Sequence, residues 1–558
     1  MLHTFRTKAV AAGALLLGAA LLAVPAPVLA ASTTGTAGPS TCADAAVQPG
    51  RVHCFIRVAP PRSARASGAR AFATTAAPGG WGPQDIAAMY DLPAVPATVP
   101  VGTGPTVAVI EADHTSTIAS DLAAYRSAYG LGTCGTEDGC LTIVGQYGTP
   151  SVPSRRATLD QWDWETVMDV EAVAAACPAC RILVVEANSP YYTDTDAATE
   201  TAAQLADYVS MSWGVTDDGF TSDDLDSTER IFAKHPDVTF VASTGDLGWA
   251  TNDPTDGVTC GSAATQGAGD THSCTNYPAS STHVIAAGGT VASVSGGAWT
   301  QQVWGNSDDP SQPFSANAGG SSSGCSGWTP MPTAQAVNVH ARAACGDSRG
   351  TADISALADG FAMYHAGYSG GPWYPSGGTS LSAPLLAGMY ARAGNHTRPF
   401  DVYARANADA SAFIDVTTGT PGRGCPAVDT LHLCSAGPGW DGPTGLGTPR
   451  GLASLMPFDA RSGISTVTPK MSPVSHSGSV RVRGKARVRR TLTASYGTFT
   501  TGSRVTVTWL VDGRHVATGG RVRVKRAWRH HRIRYVVTAS AAGHTPLTLT
   551  SPGVRIRR

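Results

Sequence analysis

The chain has 558 residues, enough for one large domain with appendages or for three or four units of about 150 residues each. Its 63 glycines and 37 prolines fall short of the share that marks a disordered chain, and with only 15% charged residues the surface must be covered by Ser, Thr, Gly, Asn and Gln. The net charge of −1 hides a separation: residues 461–558 hold 20 Lys and Arg against a single acid, Asp512, while the preceding 460 residues hold 20 basic and 40 acidic groups. The chain therefore reads as two regions of opposite field in tandem.

Residues 1–30 combine a basic start, an apolar stretch from Ala9 to Val24 and small residues at Val28 and Ala30, the pattern of a secretory signal cut near Ala30. No later stretch has the ~18–20 uninterrupted apolar residues of a membrane helix, so an exported, soluble, monomeric chain is expected. Twelve cysteines fall as near neighbours, Cys42 with Cys54, Cys134 with Cys140, Cys177 with Cys180, Cys260 with Cys274, Cys325 with Cys345 and Cys425 with Cys434, which in an exported protein reads as six short-loop disulfides. Residues 31–80 read as the Cys42–Cys54 loop followed by the linker PPRSARASGARAFATTAAPGG, too little for a separate globular unit.

From there strand and helix patterns alternate. TVAVIEA (106–112), RILVVEA (181–187), YVSMSWG (208–214) and VTFVAST (238–244) are buried strands; SDLAAYRSAYG, WETVMDVEAVAAAC, AATETAAQLA and STERIFAKH are helices. Such a series builds βαβ units, a mainly parallel sheet with helices on both faces, and sites at the carboxyl ends of its strands.

Three features there carry chemistry. Glu165 and Asp169 lie four apart on one helix face, close enough to share a proton, so a base built from them works best in acid. Asp246, in a Gly-flanked turn after VTFVAST, needs its own proton to donate to an oxyanion if it faces a nucleophile. Ser380, in PSGGTSLSAPLLAG, stands before a helix expected to open at Ser382-Ala383-Pro384, where free N–H groups and the helix dipole favour an anionic intermediate. None of the 15 histidines has the context of a serine's base. A second serine, Ser369 in Gly367-Tyr-Ser369-Gly-Gly371, fits a nucleophile-elbow spacing but lacks the following helix that the elbow requires.

Beyond residue 458 the pattern changes to period two, with Val480, Val482 and Val488, then Val505, Val507 and Trp509, Val522 and Val524, and Ile533 and Tyr535. Asp512-Gly513 marks a hairpin turn. This basic segment resembles the immunoglobulin-like β-sandwich modules of secreted bacterial proteins, and its arginine rows are suited to an anionic polymer such as a cell-wall glycopolymer or nucleic acid.

Read in order, ETVMDVEAVAAACPACRI, VSMSWG, VTFVASTGDLG, NYPASSTHVIAAGGT and GGTSLSAP resemble the sedolisin family of serine-carboxyl peptidases, relatives of subtilisin, over about Pro83 to Phe458. The resemblance implies a secreted peptidase with Glu165 as general base, Asp169 as its partner, Asp246 in the oxyanion hole and Ser380 as nucleophile. It also implies one structural calcium ion, held by the carboxylates of Asp415 and Asp441 and the carbonyls of Val416, Gly437 and Gly439. Expected domains are a signal (1–30), a short segment with its linker (31–80), a peptidase domain (81–458) and a basic β-sandwich (459–558). Two other functions stay open at this point, a catalytically silent scaffold that acts as a secreted binding protein and an esterase that uses Ser369.

Overall fold

The computed structural model describes residues 50–58, 80–95, 99–159, 161–216, 222–248, 275–305, 319–367, 372–421, 425, 429–458, 472–499, 503–540, 544–545 and 547–557. The expected signal, the linker, Cys42, the Cys260–Cys274 pair and Ser369 lie outside these residues. No helix of the described residues is long and apolar enough to cross a membrane.

An eight-stranded sheet organises the larger part. Its order is 298–303, 284–295, 239–243, 208–211, 106–112, 181–187 and 141–145, with 354–357 also pairing the 284–295 strand. Every pairing is parallel except that of the edge strand 298–303. Strands 106–112 and 181–187 start and end where their apolar runs do, and they are buried along almost their whole length, as strands covered on both faces must be. Helices Trp162–Ala176 and Thr379–Ala393 pack on each other and against the sheet; helices Tyr192–Leu205 and Ser222–Lys234 form a second packed pair. Four expected disulfides close, Cys134–Cys140, Cys177–Cys180, Cys325–Cys345 and Cys425–Cys434.

Three local departures from the sequence reading shape the cleft. YVSMSWG is not one strand: Tyr208–Met211 stays in the parallel sheet, the chain turns out at Ser212, and Trp213–Thr216 joins a small antiparallel sheet instead. The serine-bearing helix begins at Thr379, three residues early, so Pro384 lies inside it. Pro384 lacks the N–H that would bond the Ser380 carbonyl four residues back, and the Ser212 hydroxyl faces that carbonyl at 3.0 Å instead. Third, residues 50–58 are neither loop nor linker. They form two short strands, His53–Cys54 pairing Trp213–Thr216 and Arg57–Val58 pairing Trp373–Gly377, with Cys54 and Ile56 fully buried.

The basic segment folds into antiparallel sheets, one of strands 514–518, 504–511, 532–540 and 547–550 with 554–555, and one of 481–483, 491–495 and 521–523. Val507, Trp509, Val522, Val524, Ile533 and Tyr535 form its core together with Leu492 and Ile556. Asp512 and Gly513 both have positive φ, 50° and 92°, and join 504–511 to 514–518 as a two-residue hairpin loop, the geometry that Asp-Gly favours.

Candidate active site

Glu165 and Asp169 sit one turn apart on a helix whose every residue is buried, so neither lies on a solvated helix face. Both are fully buried, and with them lies Glu111 from the end of strand 106–112. Among the described residues no Lys, Arg or His pairs with any of the three. Burial and mutual repulsion therefore raise all three carboxyls and disfavour more than one negative charge in the cluster. Asp169 is pushed up to about 8 by burial, eased by hydrogen bonds from the Ser212 hydroxyl (2.7 Å) and from its two carboxyl neighbours. Glu165 and Glu111 stand well above the ordinary carboxyl range, first through burial and then through Asp169. Among the described residues neither oxygen of Glu165 has a hydrogen-bond partner at ordinary distance. Protons shared among the three carboxyls are what remains to satisfy them, which makes the cluster a proton store.

Ser380 is the second residue of its helix, after Gly378 as cap. Its side chain is fully buried; its hydroxyl donates to the Ser212 carbonyl (3.0 Å), accepts the Phe55 N–H (3.1 Å) and faces Glu165 closely enough to ease that carboxyl. Asp246 closes the other side. Its Oδ1 accepts the Thr379 N–H (2.8 Å) and hydroxyl (2.9 Å), while the Thr379 oxygen takes the Gly245 N–H (3.0 Å). Its Oδ2 takes Nε of Arg57 at 3.3 Å. Burial pushes Asp246 up to about 6, with Arg57 and Thr379 pulling it down.

Gly378 has φ of 100°, and a Cβ there would come within 1.9 Å of the Phe55 carbonyl oxygen and 2.9 Å of Asp246 Oδ2. A bare backbone at this position leaves room for the Phe55 carbonyl beside Asp246. The four sequence-identified residues thus share one buried site, with Ser380 between the Glu165–Asp169 pair and the Thr379–Asp246 contact. Glu111, Ser212, Phe55 and Arg57 went unremarked in the sequence; only the polar Glu in an otherwise apolar strand, TVAVIEA, was a visible signal. His365 is held between Asp121 (3.3 Å) and Asp163 (3.1 Å), which together occupy both ring nitrogens.

Asp415 and Asp441 are also brought together. Asp441 is buried and accepts the Gly437 N–H and both the N–H and hydroxyl of Thr444; Asp415 accepts the Gly439 N–H. Burial lifts Asp441 well above its usual range, and Asp415 adds to this. Neither forms an ion pair with Lys or Arg among the described residues, the charge balance that suits a hard cation. Among those residues no group of three or more His, Cys, Asp or Glu side chains converges on one point, so a cation here would rely on backbone carbonyls for its remaining oxygens.

Residues 164–406 match the Subtilase family. Kumamolisin of Bacillus sp. (strain MN-32) is 28% identical over 397 residues, covering 68% of this chain and 64% of kumamolisin. Sedolisin of Pseudomonas sp. (strain 101) is 27% identical over 400 residues, 68% of this chain and 62% of its own. This chain therefore spans less than two thirds of the length of these relatives. The solved structure of Pseudomonas sedolisin, a serine-carboxyl proteinase complexed with two molecules of pseudo-iodotyrostatin, superposes with a TM-score of 0.53 at 25% identity, covering 68% of this chain and 97% of that one.

Proposed function

We propose that the chain is a member of the sedolisin family of the subtilase fold and a secreted serine-carboxyl peptidase that hydrolyses peptide bonds of proteins in acid, a reading supported by its likeness to kumamolisin and sedolisin. The observation that carries the reading is the buried Ser380 hydroxyl set between the Glu165–Asp169 pair and Asp246, with no histidine of the described residues hydrogen-bonded to it.

In the proposed reaction Glu165 takes the Ser380 proton as Oγ attacks the scissile carbonyl. Asp246, protonated, donates to the oxyanion together with backbone N–H groups at the helix start. The leaving amine takes the proton from Glu165, and water then resolves the acyl-enzyme by the same route in reverse. Asp169 keeps Glu165 oriented and shares its proton, and Glu111 extends that sharing. The productive state pairs one negative charge in the carboxyl cluster with a neutral Asp246, and low pH supplies the second condition.

Calcium, when bound by the Asp415 and Asp441 carboxylates and the Val416, Gly437 and Gly439 carbonyls, supplies charge balance that braces these loops. The C-terminal sheets are assigned to an immunoglobulin-like sandwich whose arginine rows hold an anionic cell-wall polymer, on a monomeric, exported chain. The silent-scaffold reading is not favoured, because all four reactive side chains are present and converge.

The test is hydrolysis of a denatured protein by the wild type beside Ser380→Ala. The account expects a loss of about 10⁴-fold or more in kcat. Activity retained in the variant would remove Ser380 from the chemistry.

A further inference from the structure

The two sheets of the basic segment present different outer surfaces. In the sheet of strands 481–483, 491–495 and 521–523, Val482, Ala494, Leu492 and Val522 turn inward to the core. Alternation therefore sends Arg481, Arg483, Arg521 and Arg523 outward, together with Thr491, Thr493 and Ser495 of the middle strand. All four arginines are exposed, and among the described residues none of them enters an ion pair. The outer side of the other sheet is filled along its middle by Thr506, Thr508, Thr538 and Thr550. Arg532, Arg534 and Arg555 stand at one end of it, beside Asp512, the one acid of residues 461–558, which accepts the Arg532 N–H at 2.8 Å. The face that combines clustered guanidinium groups with no acid is that of the smaller sheet.

Strand register sets these four arginines on a line. Arg483, Thr493 and Arg521 lie directly across the three strands; Arg481 stands two residues to one side, opposite Ser495, and Arg523 two residues to the other, opposite Thr491. At about 3.4 Å per residue and about 4.8 Å per strand, the run from Arg481 to Arg523 crosses the face diagonally over roughly 17 Å, with a hydroxyl beside every arginine. Arg483 Nε donates to Ser495 Oγ at 3.0 Å, which ties one guanidinium to the middle row.

We propose that this face holds a linear polyol-phosphate polymer, with its phosphodiester groups on the four arginines and its hydroxyls on Thr491, Thr493 and Ser495. Its chemistry rests on the anionic-polymer reading above, and the choice of anion on the acid-peptidase reading. Three points select the occupant. A planar guanidinium pairs two oxygens of one anionic group, so a line of them fits charges repeated along a chain. No aromatic side chain stands on this side of the three strands, so the face offers nucleic-acid bases no platform to stack on. And a carboxyl polymer takes up protons near pH 4, where carboxyl-based catalysis works, whereas a phosphodiester is a far stronger acid and stays charged. Held by this face, the chain stays on its polymer through conditions in which a carboxylate polymer would release it.

The experiment uses the full chain carrying Ser380→Ala and a fluorescent synthetic poly(glycerol phosphate) as the probe, with binding read by anisotropy at pH 4 and pH 7. Four bound phosphates predict a fall of about 50-fold in affinity between about 50 and 200 mM salt. Joint Arg481→Gln, Arg483→Gln, Arg521→Gln and Arg523→Gln should weaken binding by about 50-fold or more at the lower salt. The same exchange at Arg487, Arg490, Arg526 and Arg534, all exposed, removes equal charge elsewhere on the segment and should cost less than about 5-fold. Equal losses in the two variants, or none in either, overturn the face. Thr493→Val changes no charge and leaves the core side intact; it should weaken binding several-fold, and an unchanged affinity overturns the hydroxyl contacts. Tighter binding of single-stranded DNA, or of polygalacturonate at pH 4, overturns the choice of a polyol phosphate. No binding of the probe by the chain with all its arginines overturns the polymer reading together with the face. Hydrolysis plays no part in the readout, so a chain that binds by this face while its wild type cuts no peptide supports the face and overturns the peptidase reading instead.

Discussion

Two buried carboxylate sites in this molecule are solved in opposite ways. Asp353 is fully buried and fully paired: Arg349, itself without exposure, meets it through Nη1 at 2.8 Å and Nη2 at 2.5 Å, Tyr403 donates to Oδ1 at 2.5 Å and the Ala286 N–H donates to Oδ2 at 2.8 Å. Glu111, Glu165 and Asp169 are equally buried but have no cation, and several of their oxygens lack an amide or hydroxyl donor. A buried charge that is paired and hydrogen-bonded holds loops together; a buried carboxyl that is left without a cation keeps its proton until chemistry takes it. The difference separates an acid paired with a cation from acids that share protons, without any appeal to position in the chain.

The comparison breaks first if removing a cation is harmless. Arg349→Met leaves buried Asp353 without its cation, and denaturant unfolding at neutral pH should show a loss of about 3–5 kcal/mol. Glu111→Gln replaces a carboxyl that is already neutral and should cost less than about 1 kcal/mol in the same assay. Equal losses would mean that Glu111 carries a charge in the folded state.

The pH dependence of stability sharpens it. Glu111, Glu165, Asp169 and Asp246 all have folded-state values above their unfolded ones, with Asp169 near 8 and Asp246 near 6. Such groups bind more protons folded than unfolded, so their contribution is complete below the ordinary carboxyl range near pH 4 and is lost as pH rises through about 6 and then 8. The melting temperature should climb by several degrees between pH 8 and pH 4 in Ser380→Ala, which rules out self-digestion. A flat or falling profile toward acid would contradict neutral carboxyls. Smallest is the effect of the proposed calcium: stripping metal with a chelator should lower the melting temperature by a few degrees, as loss of about 2–3 kcal/mol of linked binding does. An unchanged midpoint would count against Asp415 and Asp441 as ligands.

What was legible in the sequence followed from burial and turn chemistry. Strands 106–112 and 181–187 and the Asp512-Gly513 hairpin depend on local apolar runs and on tolerance of positive φ, and both signals are local. Helix spacing and Gly-rich turns drew attention to Glu165, Asp169, Asp246 and Ser380, but their roles came only from the resemblance of the motifs around them. The break at Ser212 was not, since it reflects the competition of two sheets for one strand, and neither sheet is visible in seven residues. Pro384 looked like a helix start; the freed carbonyl that lets it sit inside is met by a hydroxyl 168 residues away. The pairing of residues 50–58 was hidden for the same reason. Two-residue strands paired with chain 160 to 320 residues away leave no periodic trace, so Phe55 and Arg57 read as part of a loop.

The most direct measurement is kcat/KM for a peptide substrate from pH 2.5 to 8, with the wild type beside Glu165→Gln. The account predicts activity that peaks in acid and falls as pH rises through about 6, where Asp246 loses its proton, together with a Glu165→Gln variant about 10²–10⁴-fold slower across the range. A wild type that gains activity toward pH 8, or a Glu165→Gln variant that matches it, would contradict a carboxyl-based site.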